Sequence, residues 1–186
     1  GLDNLYSIIS ASVDLGAVLR QQGELRRAEE IFRAGLARAG QAASPPGFVG
    51  RLEAFLAALR IEQGDLEEAA WLVDQAIAHN RSWENPNHCA YTWVVKARLE
   101  LLQNHPDQAA AALAEARGWF ARAPVVPSLP ASAESLQVRL WLHAGALEQA
   151  RTWLAQHSLP PLTEGAPLSE SEETLRLAAA RALLAT

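Results

Sequence analysis

Three arginines recur at near-equal intervals in the second half of the chain: Arg98, Arg139 and Arg181, 41 and 42 residues apart. A guanidinium presents its N–H donors as a rigid fork, which suits carboxylate, phosphate and hydroxyl-rich ligands. Placed on neighbouring helices, at packing distances of roughly 10 Å, the three would form a stripe for an anion or a polar ligand. The alternative is a structural ladder in which Glu100, Glu134 or Glu173 supplies the counter-charge. Tyr91, Ser135 and His143 are candidates for the same surface. Tyr91 suits stacking on a sugar or a peptide, or else it is a half-buried core residue.

The elements that would position these residues repeat. Gly23, Gly64, Asn104 and Gly145 are spaced 41, 40 and 41 apart. Five residues after each comes Ala28, Ala69, Ala109 and Ala150, and four further on Phe32, Val73, Leu113 and Leu154. Seven residues before each stands Gly16, Ala57, Ala97 and Val138. A fixed period of this size indicates stacked repeats. Gly, or Asn as the next choice, adopts the left-handed conformation that ends one helix. The small residues let two antiparallel helices approach closely, and Phe32 and its equivalents fill the seam between repeats.

The spacing predicts first helices at 3–22, 48–63, 86–103, 131–144 and 170–185, and second helices at 24–39, 65–79, 106–122 and 146–157. The connectors AGQAASPPGFVG (39–50), HNRSWENPNH (79–88), ARAPVVPSLPAS (121–132) and HSLPPLTEGAPLSE (157–170) all carry proline, which breaks helices and stiffens loops. SESEE (169–173) is a helix start, with Ser at the cap and Glu in the first turn. The organisation is one repeat domain over 1–186: repeats at 3–42, 45–82, 86–123 and 130–158, then the first helix of a truncated fifth at 169–186. The fold class is an all-α, right-handed superhelix of antiparallel helix pairs.

The arginine row follows from this register. The residue after the small first-helix position faces inward: Ala17 and Ala58, then Arg98 and Arg139, with AAARALLA aligned on KARLELLQ to bring in Arg181. Val13, Arg20, Ala54, Ile61 and Val94 are further inner-surface candidates. Trp71 and Trp153 on second helices and Trp93 and Trp141 on first helices read as inter-repeat packing. Trp83 and Trp119 read as covers for connectors.

Composition narrows the function. Half the residues are apolar, the net charge is −5 and the pI about 5.5, a poor balance for direct nucleic-acid binding. Cys89 is the single cysteine, so no internal disulfide forms and a reducing, cytoplasmic setting is expected. No apolar run approaches the roughly 18 residues that span a bilayer. The absence of any Met suggests a piece of a longer protein. His79, His88 and Cys89 are a poor metal set, because adjacent residues seldom ligate one ion. No nucleophile–base arrangement stands out, so catalysis is not expected. No phosphate loop is present either, and no cofactor is expected.

The pattern of Leu15, Gly16, Gly23, Ala28, Phe32 and Leu36 resembles the tetratricopeptide (TPR) signature, whose usual period is about 34. With its period of 40 to 41, and stretches such as GFVGRLEAFLAALRIEQGDLEEAAWLVDQAI and RLWLHAGALEQARTWLAQHSL, the whole chain resembles the superhelical domain of MalT-like, LuxR-type transcriptional regulators. That resemblance implies a sensor. It takes up a small-molecule inducer or docks a regulatory protein, and it controls a nucleotide-binding switch and a DNA-binding helix-turn-helix elsewhere in the parent polypeptide. The competing expectation is a stand-alone TPR scaffold for protein–protein interaction. The clamp that holds chaperone C-termini is excluded, since its Lys, Asn and Arg positions resemble Val13, Ala17, Ala54 and Ala58 here.

Overall fold

A computed structural model describes residues 2–41, 46–81, 84–157 and 168–185. Among these, all regular structure is helical: α1 (Leu2–Gln21), α2 (Leu25–Gln41), α3 (Pro46–Gln63), α4 (Leu66–Asn80), α5 (Pro86–Leu102), α6 (Pro106–Phe120), α7 (Ser128–His143), α8 (Leu147–Gln156) and α9 (Glu170–Ala185). The expected all-α repeat superhelix is therefore present. The proline stretches differ in detail from simple breaks. Pro46, Pro86 and Pro106 open α3, α5 and α6, where the missing N–H is an orphan in any case and φ is already helical. At α9 the start signal forms as a capping box: Ser169 Oγ accepts from Glu172 N at 3.3 Å, and Glu172 Oε2 accepts from Ser169 N at 2.9 Å.

All four corners have one geometry. Gly23, Gly64, Asn104 and Gly145 have φ of 78°, 82°, 64° and 67°. In each the residue after the corner donates back five positions: Glu24 to Leu19, Asp65 to Arg60, His105 to Glu100, Ala146 to Trp141, at 2.8–3.0 Å. The corner residue itself donates to Arg20, Ile61, Leu101 or Leu142. These paired bonds satisfy carbonyls that a helix end would otherwise orphan. The same post-corner residue then accepts from Ala28, Ala69, Ala109 or Ala150 to begin the next helix.

Behind each corner the seam fills as expected in three copies: Phe32, Val73 and Leu113 are fully buried. Phe32 packs directly on Gly16, where a Cβ would lie 2.3 Å from its Cε1. In the fourth copy the register slips by one, so that Trp153 is buried and Leu154 only partly so. Trp71 corrects the packing expected of it: it is 59% exposed, because Leu72 and Val73 beside it already occupy the buried stripe of α4. Trp83 lies outside the described residues.

The helices form two layers. α1, α3, α5, α7 and α9 contact one another in sequence, whereas α2, α4, α6 and α8 each wedge against the next first helix without touching each other. A row packed edge to edge on one side and spread on the other must curve, so the first helices line the concave side. The fourth copy departs from strict pairing. α8 has only 10 residues, and α9 packs on α7 more extensively than α8 does.

Candidate functional site

The arginine row lies along α5, α7 and α9. Burial, then the charges of Arg181 and Arg98, hold the Arg139 guanidinium below its ordinary value, so the three cations lie within electrostatic reach of one another. The carboxylates expected for a structural ladder are engaged elsewhere. Glu100 takes Lys96 and His105, each at 3.0 Å. Glu134 takes His157 at 2.9 Å and the Trp153 indole N–H at 3.3 Å. Glu173 lies exposed in the first turn of α9. Arg98 instead meets Glu62 of α3 at 3.4 Å. Among the described residues Arg139 and Arg181 have no acidic partner. Of the other candidates, Ser135 is buried within α7 and His143 is exposed at its last residue.

Next to this row the concave side holds a pocket of about 450 Å³ reaching from α1 to α7. Its cations are Arg20 and Arg51. Arg20 Nη1 is 3.3 Å from Glu62 Oε1, the same oxygen that receives Arg98, and the Tyr91 hydroxyl lies against its guanidinium. Arg51 is lightly held, 3.4 Å from both Ser10 Oγ and the exposed Asp14 carboxylate. The floor is aromatic: Phe55 stacks on Tyr91 at 4.4 Å and 20°, and tilts against Phe32 of the seam at 6.0 Å. Burial holds the Tyr91 phenol above its usual range. His88 completes the α5 side. Burial, and then Arg51, bring its imidazole down to about 4, so it is neutral at pH 7, and its buried Nδ1 has no hydrogen-bond partner.

Local sequence explains these positions. Asn85 caps α5 by accepting from His88 N at 3.2 Å, which fixes the first turn and sets His88 inward. Asn87 Oδ1 accepts from Val126 N at 2.9 Å and so ties the start of α5 to the approach to α7. Of the inner-surface candidates, Ala17, Arg20, Ala54, Tyr91 and Val94 line the pocket, whereas Val13 and Ile61 are core. The sequence reading does not single out Arg51, Phe55 or Glu170 for this surface, and it weighs His88 only as a metal ligand. A signal existed for Arg51: two helical turns are about seven residues, and Arg51, Tyr91 and Ser132 stand seven before Ala58, Arg98 and Arg139. All three line the pocket.

The family description MalT-like TPR region matches residues 2–186. The chain belongs to the MalT-like TPR family. No curated protein matches it. Among solved structures, the crystal structure of BtubC (BKLC) from P. vanneervenii superposes with a TM-score of 0.63 at 17% identity, over 100% of this chain and 91% of that one. At that identity the likeness shows the fold alone.

As a MalT-like TPR region the chain is a helical repeat domain of a type that ordinarily serves binding. Among its described residues no helix is long and apolar enough to cross a membrane, and no group of three His, Cys, Asp or Glu is placed to hold a metal ion. His79, His88 and Cys89 have separate surroundings. His79 Nδ1 bonds Glu53 at 2.7 Å, His88 faces Arg51, and the Cys89 thiol is buried and pushed up to about 11.

Proposed function

We propose that this MalT-like TPR region is the sensor domain of a LuxR-type transcriptional regulator. Its concave face binds a small-molecule inducer or a segment of a regulatory protein across repeats 3 to 5, with Arg98, Arg139 and Arg181 as the principal contacts. The bound state biases a nucleotide-binding switch, and through it a helix-turn-helix, in the parent polypeptide. Such a bias requires the effector to bind two arrangements of the superhelix with different affinity.

The observation that carries this reading is Arg139, a half-buried cation between two others with no acid beside it among the described residues. A fold keeps an uncompensated buried charge at a cost, and an incoming anion removes that cost. Thermal-shift measurements with phosphate, an acidic peptide and sugars, on wild type and Arg139→Ala, test the site. Stabilisation of the wild type by one of them, lost in the variant, supports it. An identical response in both overturns it. A response to the acidic peptide alone favours a protein-binding scaffold. The regulatory role is tested on the full-length gene: a phosphate loop upstream and a helix-turn-helix downstream support it, and a gene encoding only this repeat domain overturns it.

A further inference from the structure

The pocket between α1, α3, α5 and α7 has a character different from the arginine row. Its cations, Arg20 and Arg51, stand over an aromatic floor, and its walls include Ala17, Ala54 and Val94. Glu170, from the first turn of α9, is its one carboxylate among the lining residues. Outside the lining, Glu62 is shared between Arg20 at 3.3 Å and Arg98 at 3.4 Å, and the Asp14 carboxylate 3.4 Å from Arg51 is exposed to solvent. His88 is neutral. The lining therefore carries a net charge of about +1, which suits a monoanion and not a phosphate dianion. A flat apolar body gains from the Phe55–Tyr91 stack, whereas a sugar would leave hydroxyls unmatched against the alanine and valine walls. The volume, about 450 Å³, is in the range of small-ligand sites.

We propose that this pocket binds a small aromatic monocarboxylic acid. The carboxylate is received by Arg51 and Arg20, and the ring lies over Tyr91 and Phe55. His88 offers a neutral imidazole to a hydrogen-bonding substituent. The site shares the concave face with the arginine row but uses different residues, so it stands or falls separately from Arg139.

The position of Glu170 adds a consequence. Its charge acts on both Arg20 and Tyr91, so the beginning of α9, in the fifth repeat, faces the end of α1, in the first. Glu170 adds to the negative charge around Arg20, whose ion-pair partner is Glu62 at 3.3 Å. A ligand carboxylate at Arg20 repels Glu170, which couples occupancy to the position of α9.

Isothermal titration of the whole chain tests this with benzoate, 4-hydroxyphenylacetate and indole-3-acetate, each up to about 10 mM, the weak end of measurable affinity. Indole-3-acetamide, inorganic phosphate and sucrose are the controls. At least one acid is expected to bind, with the amide about tenfold or more weaker than indole-3-acetate if that acid is the ligand. Arg51→Gln and Tyr91→Leu should each weaken the acid about tenfold or more, Arg139→Ala should leave it unchanged, and Glu170→Gln should tighten it several-fold. Melting temperatures establish that each variant is folded, and Arg51→Lys replaces Arg51→Gln if the latter is not. Failure of all three acids, equal binding of acid and amide, or indifference to Arg51 overturns the proposal. Loss of acid binding in Arg139→Ala with Arg51→Gln unaffected moves the ligand to the arginine row, which sustains the sensor reading and overturns this one.

Discussion

Phe32 lies against the bare Cα of Gly16, at a distance that leaves no room for a methyl group. The contact closes the α1–α2 pair, and through Phe55 it supports Tyr91 at the pocket floor. Gly16→Ala is expected to lower stability by about 1–3 kcal/mol through overpacking. Urea unfolding should show a lower midpoint with an unchanged slope. Combining it with Phe32→Leu should recover part of the loss, since the smaller side chain vacates the ring edge. Simple additivity of the two variants would show that the contact is not the cause.

The corners make a second prediction. Gly64 and Asn104 both hold left-handed backbone, at φ of 82° and 64°, and neither the Gly64 site nor Gly145 has a neighbour that a Cβ would strike. Backbone strain alone should therefore decide the outcome. Gly64→Ala should cost about 1 kcal/mol, and Asn104→Gly should stay within about 0.5 kcal/mol of wild type. Thermal melts compare the two directly, and an Ala at 64 that costs nothing would remove the argument from conformation.

His88 gives a pH dependence. Its folded value is about 4 against an ordinary 6.5, so between those limits the unfolded chain binds the extra proton. Stability rises with pH wherever the unfolded state holds more protons. The His88 contribution is therefore fully lost at about pH 4 and fully recovered above about pH 6.5, a swing of about 3 kcal/mol. Arg51 is the charge that faces it. Denaturation at pH 7 and pH 4 on wild type and His88→Gln isolates the effect. The variant should lose about that much less on acidification, and parallel losses would show that His88 is not buried neutral.

Arg139 makes an unusual stability prediction. Removing a paired arginine normally destabilises, but here burial and two like charges act against the guanidinium. Arg139→Ala should leave the melting temperature unchanged or raise it by a few degrees, about 0.5–1 kcal/mol in a chain of this size. A clear drop would mean that the side chain is paired in solution.

The sequence by itself determined the repeat. Corner residues, alanines five places on and seam residues nine places on are local or one-helix-pair matters, decided by left-handed φ, helix register and side-chain size. The structure realises the corners and the alanines at Gly23, Gly64, Asn104 and Gly145 alike, and the seam residues in the first three copies. The arginine row was legible for the same reason, because a fixed period places equivalent residues on equivalent faces. What the row does with its charge was not, since the acids near it in sequence turn to other partners. Glu100 goes to Lys96 and His105 and Glu134 to His157 and Trp153, while Arg98 reaches Glu62 in the preceding repeat. Some of the pocket's residues, such as Arg20 and Tyr91, follow from the register, but the pocket itself was decided by tertiary structure. It needs the curvature that brings α1, α3, α5 and α7 around one space and sets Glu170 opposite Arg20. That curvature is the sum of many packing contacts between repeats, and no single stretch of sequence encodes it.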